Sequence, residues 1–367
     1  MKTKKLRKNT IIIIISITII LLSLIIGYIY YNKTYYSKKY YSNKAIEAIK
    51  VHDIKNIYKE EYSKTLDIVL TENLYEPQYL KEYQRIEFIN QDDFIDKIIA
   101  YLNIGYSGNE INNIFKLSKI NQDKLLNLEK IDFTKYLNIQ NFDVNKIERY
   151  NKYLDKTKKD LNTVVTYVNI NLDNKFYTNT NEVNNPNDLT VIVNKYNYIT
   201  KDFIPKNLVT LFDSKNGAKM VKEAAEAYKL FIEASKKDGL TLESTTAYRS
   251  YSFQNTLYTN YVAQDGKEKA DTYSARPGTS EHQLGLAVDL NNPNHSGARL
   301  SGSDYEWVLN NSYKYGFIIR YTEKGVPITG YMEEPWHIRY LGVDLATKVF
   351  KSGLTYEEYY DLYIAEY

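Results

Sequence analysis

The chain contains no cysteine, so it has no disulfide, no thiol nucleophile and no thiolate to bind a metal. Neither Ser-x-x-Lys nor Gly-x-Ser-x-Gly occurs in it, which argues against the serine enzymes that carry these motifs. The formal net charge is only +3, and the basic residues are scattered, which argues against a nucleic-acid partner. With 367 residues the chain has room for about two domains beyond an N-terminal apolar segment.

Histidine is also scarce, with four in the chain, but two of them belong to dense motifs. His282 lies in Ser-Glu-His-Gln-Leu-Gly-Leu-Ala-Val-Asp, which ends at Asp289, and His337 ends Glu-Pro-Trp-His, which begins at Glu334. A catalytic zinc typically takes about three His, Asp or Glu ligands and keeps one position for water. Glu334 could act as the general base toward that water. Because the helical motif His-Glu-x-x-His is absent, spacing alone leaves a zinc site and two ordinary histidines equally open.

Taken together, these motifs resemble the signature of the zinc D-Ala-D-Ala carboxypeptidases of the VanY type and of the related L,D-carboxypeptidases. Members of both groups trim the stem peptides of bacterial peptidoglycan. The similarity covers about residues 194–354 and includes two further stretches, 247–254 and 274–279. It implies an α+β fold of the hedgehog/D,D-peptidase type, with a small antiparallel sheet and flanking helices, and Zn²⁺ as cofactor.

The resemblance also implies roles for individual residues. Carried over position by position, it assigns the zinc-ligand role to His282, Asp289 and His337, and the role of catalytic base to Glu334. It further implies four residues that contact the substrate: Arg249, Gln254, Ser280 and Tyr321.

Arginine suits one of these roles on physical grounds. A carboxypeptidase must recognise a free terminal carboxylate, and a guanidinium binds a carboxylate through two parallel hydrogen bonds. Residues 242–248 are mostly apolar or β-branched and predict a strand, so Arg249 would emerge at a strand end. For Gln254, a place on a helix face fits the sequence equally well.

The N-terminus predicts a membrane anchor. Residues 11–31 are uncharged and strongly apolar, which suits one membrane-spanning helix, and no Ala-x-Ala-like cleavage site follows. Five basic residues precede this segment: Lys2, Lys4, Lys5, Arg7 and Lys8. By the positive-inside rule residues 1–10 would be a cytoplasmic tail and the rest of the chain would lie outside, although lysines beyond the segment weaken this inference.

The remaining chain divides into two predicted domains. Residues 33–162 show helical spacing of apolar residues and suggest a helical stalk domain, with a weak repeat of about 35 residues that aligns 101–104 with 136–139. Residues 163–367 would form the catalytic domain. The valine-rich stretch 164–168 at its start predicts a strand.

The sequence therefore favours a membrane-anchored zinc D,D-carboxypeptidase that removes a C-terminal D-alanine from peptidoglycan stem peptides. Its expected partners are the stem peptide and the membrane, with no nucleic acid. Two alternatives stay open: an L,D-carboxypeptidase that acts on tetrapeptide stems, and a non-catalytic wall-binding or signalling module of the same fold.

Overall fold

The computed structural model describes residues 2–294, 300 and 302–367, and the chain forms two compact units. The first unit comprises Met1–Asn138, Asp143–Asn145 and Tyr367, and the second comprises Ile139–Phe142 and Lys146–Glu366.

The chain begins with a long helix, α1 (Lys2–Tyr40). Within it the stretch Ile13–Tyr31 has a mean hydropathy of 2.6, and none of it is buried by the rest of the chain. Nineteen helical residues rise far enough to cross about 30 Å of hydrocarbon. Among the described residues this is the one helix that is long and apolar enough to span a membrane, although a signal sequence shares these properties.

Short helices follow in the first unit, and serines define where several of them start. These helices are α2 (Asn43–Val51), α3 (Lys64–Thr71), α4 (Leu80–Arg85), α5 (Phe94–Ile104), α6 (Gly108–Ile114) and α7 (Lys119–Leu125). Four of them begin after a serine whose hydroxyl accepts the backbone N–H three residues on: Ser42, Ser63, Ser107 and Ser118. Each serine satisfies an N–H that has no partner within the helix.

The predicted repeat in this unit pairs residues that share burial but not secondary structure. Tyr101 lies in α5, whereas Tyr136 ends a 3₁₀ helix at Thr134–Tyr136, and both tyrosines are fully buried. The hydroxyl of Tyr101 donates to the carbonyl of Gln122, 21 residues further along the chain. The helical stalk and its repeat stay predictions.

The second unit opens with two helices, α8 (Ile147–Thr157) and α9 (Leu161–Asn169). The strand predicted over 164–168 is therefore wrong. The carboxylate of Asp160 accepts the backbone N–H of Thr163 and caps α9, and the buried residues Val164, Val165 and Val168 follow the spacing of one helix face.

Small β-structures position the rest of this unit. β1 (Asn181–Glu182) pairs in parallel with β2 (Asn197–Tyr198), and β3 (Leu208–Thr210) pairs antiparallel with β4 (Lys219–Val221). The main sheet is antiparallel and contains β5 (Glu243–Thr246), β6 (Ala287–Asn291), β7 (Phe317–Tyr321) and β8 (Glu334–Tyr340) in the order β5-β6-β8-β7. This arrangement confirms the predicted α+β class with a small antiparallel sheet.

Helices flank the main sheet. They are α10 (Lys222–Lys237), α11 (Tyr251–Asp265), α12 (Lys267–Ala270), α13 (Gly302–Asn311), α14 (Val326–Thr329), α15 (Val343–Ser352) and α16 (Tyr356–Tyr363). α10 contributes Tyr228 and Phe231 to a core that also contains Phe317 and Ile338 of the sheet. Burial of each such side chain stabilises the fold by about 1.5–3 kcal/mol. This packing holds the sheet in place and thereby positions the strands that carry the site.

Two features of the chain bring the motif residues together. The register places Asp289 opposite His337 on β6 and β8, and Tyr321 opposite Glu334 on β7 and β8. Gly285 ends the turn before β6 with φ +68°, and a Cβ there would lie 2.9 Å from a methyl group of Leu208. Glycine is therefore required where the chain turns from the first motif histidine into the strand.

Candidate active site

The three predicted metal ligands lie together and are buried. His282 is in a 3₁₀ helix at Glu281–Leu284, Asp289 is in β6 and His337 is in β8. The distance from Asp289 Oδ1 to His282 Nε2 is 3.3 Å, and to His337 Nδ1 it is 3.4 Å. Asp289 and the two histidines are at most 7% exposed.

Two of the atoms that face one another are unprotonated and unpaired, as metal-binding atoms are. His282 Nδ1 contacts the carbonyl of Ala247 at 2.7 Å, which leaves Nε2 without a proton to point at Asp289. Within the described part of the chain, His282 Nε2 and Asp289 Oδ1 are buried and have no hydrogen-bond partner. Such unpaired buried atoms are rare in proteins. Separations near 3.3 Å match those between ligands about 2.0–2.1 Å from a tetrahedral zinc, so the residues fit Zn²⁺.

Charge and burial set the protonation of these ligands. Burial, with the nearby Arg249 as a second cause, lowers the pKa of His282 to about 4, so the imidazole is neutral. Burial alone would raise the pKa of Asp289, but the two histidines and Arg249 hold it well below its usual value. A neutral imidazole and an ionised carboxylate are the forms that bind metals.

Glu334, the predicted base, lies at the edge of this cluster. Its Oε2 is 3.5 Å from Nδ1 of His337, and the side chain is buried at the start of β8. Burial raises its pKa to about 7. A carboxyl group with a pKa near neutrality can both accept and return a proton at physiological pH.

Arg249 and Gln254, both predicted to bind the substrate, occupy different positions. Arg249 lines the cleft, donating from Nη2 to Asp289 Oδ2 at 2.9 Å and from Nη1 to Gln254 Oε1 at 3.0 Å. Its Nε is buried without a hydrogen-bond partner among the described residues. Gln254 is 1% exposed and donates to Ser274 and to the carbonyl of Ala275. Gln254 therefore holds Arg249 from behind and does not line the cleft.

Ser280 and Tyr321 also line the cleft, which has a volume of about 730 Å³. The ring centroid of Tyr321 lies 5.0 Å from the ring centroid of His337 and 4.9 Å from that of Tyr331. Burial raises the pKa of Tyr321 well above its ordinary value, so its hydroxyl stays a proton donor. Away from the cluster, one wall is the apolar face of α11, with Phe253, Leu257 and Tyr261.

Sequence analysis missed a second set of charged residues, which lies behind His337. These residues are Glu281, Arg320, Arg339 and Glu357, and all four are at most 3% exposed. One signal was visible in the sequence, because Arg320 interrupts the otherwise apolar run 317–321 of β7. A charged residue in a buried strand requires a partner.

Comparison with known proteins identifies the family. Residues 217–343 match the family model described as VanY: D-alanyl-D-alanine carboxypeptidase. Over 189 residues the chain is 39% identical to YodJ of Bacillus subtilis (strain 168), a carboxypeptidase by name, and the match covers 49% of this chain and 69% of YodJ. The chain belongs to the VanY family. The predicted family is thus confirmed.

Two solved structures are similar to the VanY-family domain. One is the LdcB LD-carboxypeptidase, at 36% identity over 51% of this chain and 92% of that chain, with a TM-score of 0.48. The other is the D,D-pentapeptidase VanY of a VanB-type resistance cassette in complex with Zn(II), at 34% identity over 47% and 98% of the two chains, with a TM-score of 0.42.

Family membership and the His-Asp-His cluster together establish the cofactor and the general activity. Zn²⁺ is the cofactor, as predicted, and the protein is a zinc metallo-carboxypeptidase of the class that acts on peptidoglycan-related peptides. Family membership leaves open which peptide bond of the stem is cleaved.

Proposed function

We propose that this protein is a membrane-anchored zinc D,D-carboxypeptidase that removes the terminal D-alanine from the pentapeptide stems of peptidoglycan. The observation that carries the carboxypeptidase part of the proposal is the position of Arg249, and the choice of the D,D bond rests on the description of the matched family model. The guanidinium of Arg249 lines the same cleft as the ligand cluster and Glu334, and its buried Nε has no partner in the described structure. A cation held beside a hydrolytic centre selects a peptide whose terminal carboxylate is only one residue from the scissile bond.

The metal would be held by His282 Nε2, Asp289 Oδ1 and His337 Nδ1, the atoms that face one another. When bound, zinc supplies a Lewis acid that lowers the pKa of a water molecule and polarises the scissile carbonyl. Glu334 takes the proton from the attacking water as the water oxygen bonds to the carbonyl carbon. The same carboxyl then gives that proton to the amine nitrogen as the C–N bond breaks and D-alanine leaves.

Binding of the substrate would exchange one partner of Arg249 for another. In the structure Arg249 donates one hydrogen bond to Asp289 Oδ2 and another to Gln254 Oε1. The terminal carboxylate would accept hydrogen bonds from the guanidinium, including Nε. Ser280 and Tyr321 line the cleft beside the ligands, where their hydroxyl groups would contact the scissile dipeptide.

The anchor and the helical domain complete the proposal. The helical stretch Ile13–Tyr31 would cross the membrane once, with the basic residues before it on the cytoplasmic side. The catalytic unit would then lie on the wall side, where peptidoglycan is found. The predicted helical domain, residues 33–162, would act as a stalk that holds the enzyme away from the membrane.

A direct test compares two defined substrates. The full-length protein in detergent is incubated with pentapeptide and tetrapeptide stems, and released D-alanine is followed by mass spectrometry. Release from the pentapeptide that is lost on chelation and restored by zinc supports the proposal. Release from the tetrapeptide alone makes the protein an L,D-carboxypeptidase, and release from neither by the zinc-loaded protein favours a binding module.

A further inference from the structure

Directly behind His337 lies a buried cluster of four charged residues, here called the charge cluster: Glu281, Arg320, Arg339 and Glu357. Two arginines and two glutamates balance in charge. Burying ions is costly even when they are paired, and an apolar cluster of the same volume would serve a fold at least as well. The position of this cluster suggests a role beyond stability.

Glu281 connects the cluster to the metal site. Its Oε1 accepts hydrogen bonds from Arg320 Nε at 2.8 Å and from Arg339 Nη1 at 2.9 Å. Its Oε2 lies 3.4 Å from His337 Nε2. Within the part of the chain that the structure describes, both of these facing atoms are buried and neither has a hydrogen-bond partner.

The two ring nitrogens of His337 therefore face opposite ways. Nδ1 faces Asp289 and Glu334, and Nε2 faces Glu281. A neutral histidine that binds a metal through Nδ1 carries its proton on Nε2, and that proton needs an acceptor. The second oxygen of Glu281 is directed at this nitrogen and has no hydrogen-bond partner among the described residues.

We infer that Glu281 is a positioning residue that fixes the ring orientation and the tautomer of His337 for zinc, and that the two arginines hold Glu281 in place for this purpose. The inference rests on the proposed ligand role of His337. Glu281 borders the cleft, and its inferred role is exerted through His337. The arginines occupy Oε1, so Oε2 is the oxygen left to accept the proton from Nε2.

Several contacts that hold this cluster come from outside the part of the chain that matches the family model. Arg339 Nη2 donates to the carbonyls of Leu189 and Val191, each at 2.9 Å. Arg320 donates to both carboxylate oxygens of Glu357, which lies on α16. Glu357 also accepts from Asn194 at 3.2 Å. Residues 189–194 and α16 lie before and after the matched range 217–343, so segments that flank the family domain help to hold the zinc site.

The first experiment needs no mutation. In the full-length protein in detergent, loaded with zinc and labelled with ¹⁵N-histidine, long-range ¹H–¹⁵N spectra report which ring nitrogen carries the proton. The inference predicts a proton on Nε2 of His337 and on Nδ1 of His282. A zinc-bound His337 with its proton on Nδ1 would overturn the inference.

The second experiment measures zinc affinity in variants by competition with a chromophoric chelator. Glu281→Gln keeps the size of the side chain but replaces one carboxylate oxygen with an NH₂ group. The side chain can then no longer accept from the two arginines and from His337 at once, so zinc affinity should fall about 10- to 100-fold. Glu281→Asp keeps the charge and should restore part of the loss. Glu357→Gln leaves the contact with His337 intact and should cost less than Glu281→Gln.

The result separates a positioning role from a purely structural one. If the cluster only stabilises the fold, Glu281→Gln lowers the melting temperature of the zinc-free protein but leaves the zinc dissociation constant within about twofold of wild type, and the inference fails. Should Glu281→Gln not fold, Glu357→Gln and the spectra of the wild type still decide the question. These readouts do not involve hydrolysis, so a wild type that binds zinc as inferred but cleaves no stem peptide contradicts only the proposed function.

Discussion

Replacing Glu334 with glutamine should separate hydrolysis from zinc binding and from stability. Glutamine has the same shape but cannot accept a proton, and a general base contributes about 10²- to 10⁴-fold to rate. We expect kcat to fall by that factor. The zinc content should stay the same, because Glu334 is 3.5 Å from the ligand atom of His337 and is not among the three clustered ligands.

The stability effect has a sign that follows from the pKa of Glu334. Burial raises this pKa from 4.5 to about 7. The ionised form is thus disfavoured in the folded protein, and at about 1.4 kcal/mol per pKa unit the penalty is roughly 3–4 kcal/mol. The penalty is absent below about pH 4.5, where the carboxyl is neutral in both folded and unfolded states, grows as pH rises and is complete above about pH 7. At pH 8 the zinc-free Glu334→Gln protein should therefore be more stable than wild type.

Three assays check this prediction on one preparation. Steady-state kinetics measure kcat, metal analysis measures zinc per chain, and urea denaturation of the zinc-free protein at pH 5 and pH 8 measures the free energy of unfolding. Glu333→Gln, one residue earlier and outside the cleft lining, is the matched control and should change none of these quantities. Turnover by Glu334→Gln within about tenfold of wild type would refute the role of the base, and loss of zinc would show that Glu334 is itself a ligand.

Other predictions concern the neighbouring residues. Arg249→Lys loses the two-pronged contact with the terminal carboxylate, and since a hydrogen bond to a charged group contributes about 1.5–3 kcal/mol, KM should rise about 10- to 100-fold; an unchanged KM would contradict the assignment. Burial alone would lower the pKa of His337, but Asp289 and Glu281 raise it to about 9. Zinc must therefore displace a proton from His337, so the affinity of the protein for zinc should rise about tenfold per pH unit from pH 6 to 8. Chelator competition measures this affinity, and a flat pH profile would contradict the prediction. Gly285→Ala places a Cβ at a positive φ and 2.9 Å from Leu208, so the free energy of unfolding should fall by about 1–3 kcal/mol in urea denaturation, whereas Gly239→Ala, with no atom within 4 Å, should lose less.

The sequence predicted the local parts of the site well. The strand predicted over 242–248 contains β5 (Glu243–Thr246), and Arg249 follows its end as expected. The motif residues converge because β6 and β8 pair with Asp289 opposite His337. Residues 287–290 of β6 are buried on both faces of the sheet, so this register was not visible as an alternation in the sequence.

Features that depend on tertiary contacts were not predictable. The valines of α9 have high strand propensity, but the Asp160 cap and a buried helix face outweigh that preference. Gln254 matched a substrate-binding position, yet its side chain turns away from the cleft to hold Arg249. The charge cluster joins Glu281 to residues 39 and 58 positions away, and no local pattern records such a pairing.

The central claim is that His282, Asp289 and His337 hold one zinc ion beside Glu334. Crystals of the zinc-loaded protein, measured on both sides of the zinc absorption edge, test it directly. We predict a single anomalous peak per catalytic unit at bonding distance from His282 Nε2, Asp289 Oδ1 and His337 Nδ1, with Glu334 facing the open coordination position. A peak that lacks any of these three ligands, or that takes Glu334 in place of one of them, would contradict the account.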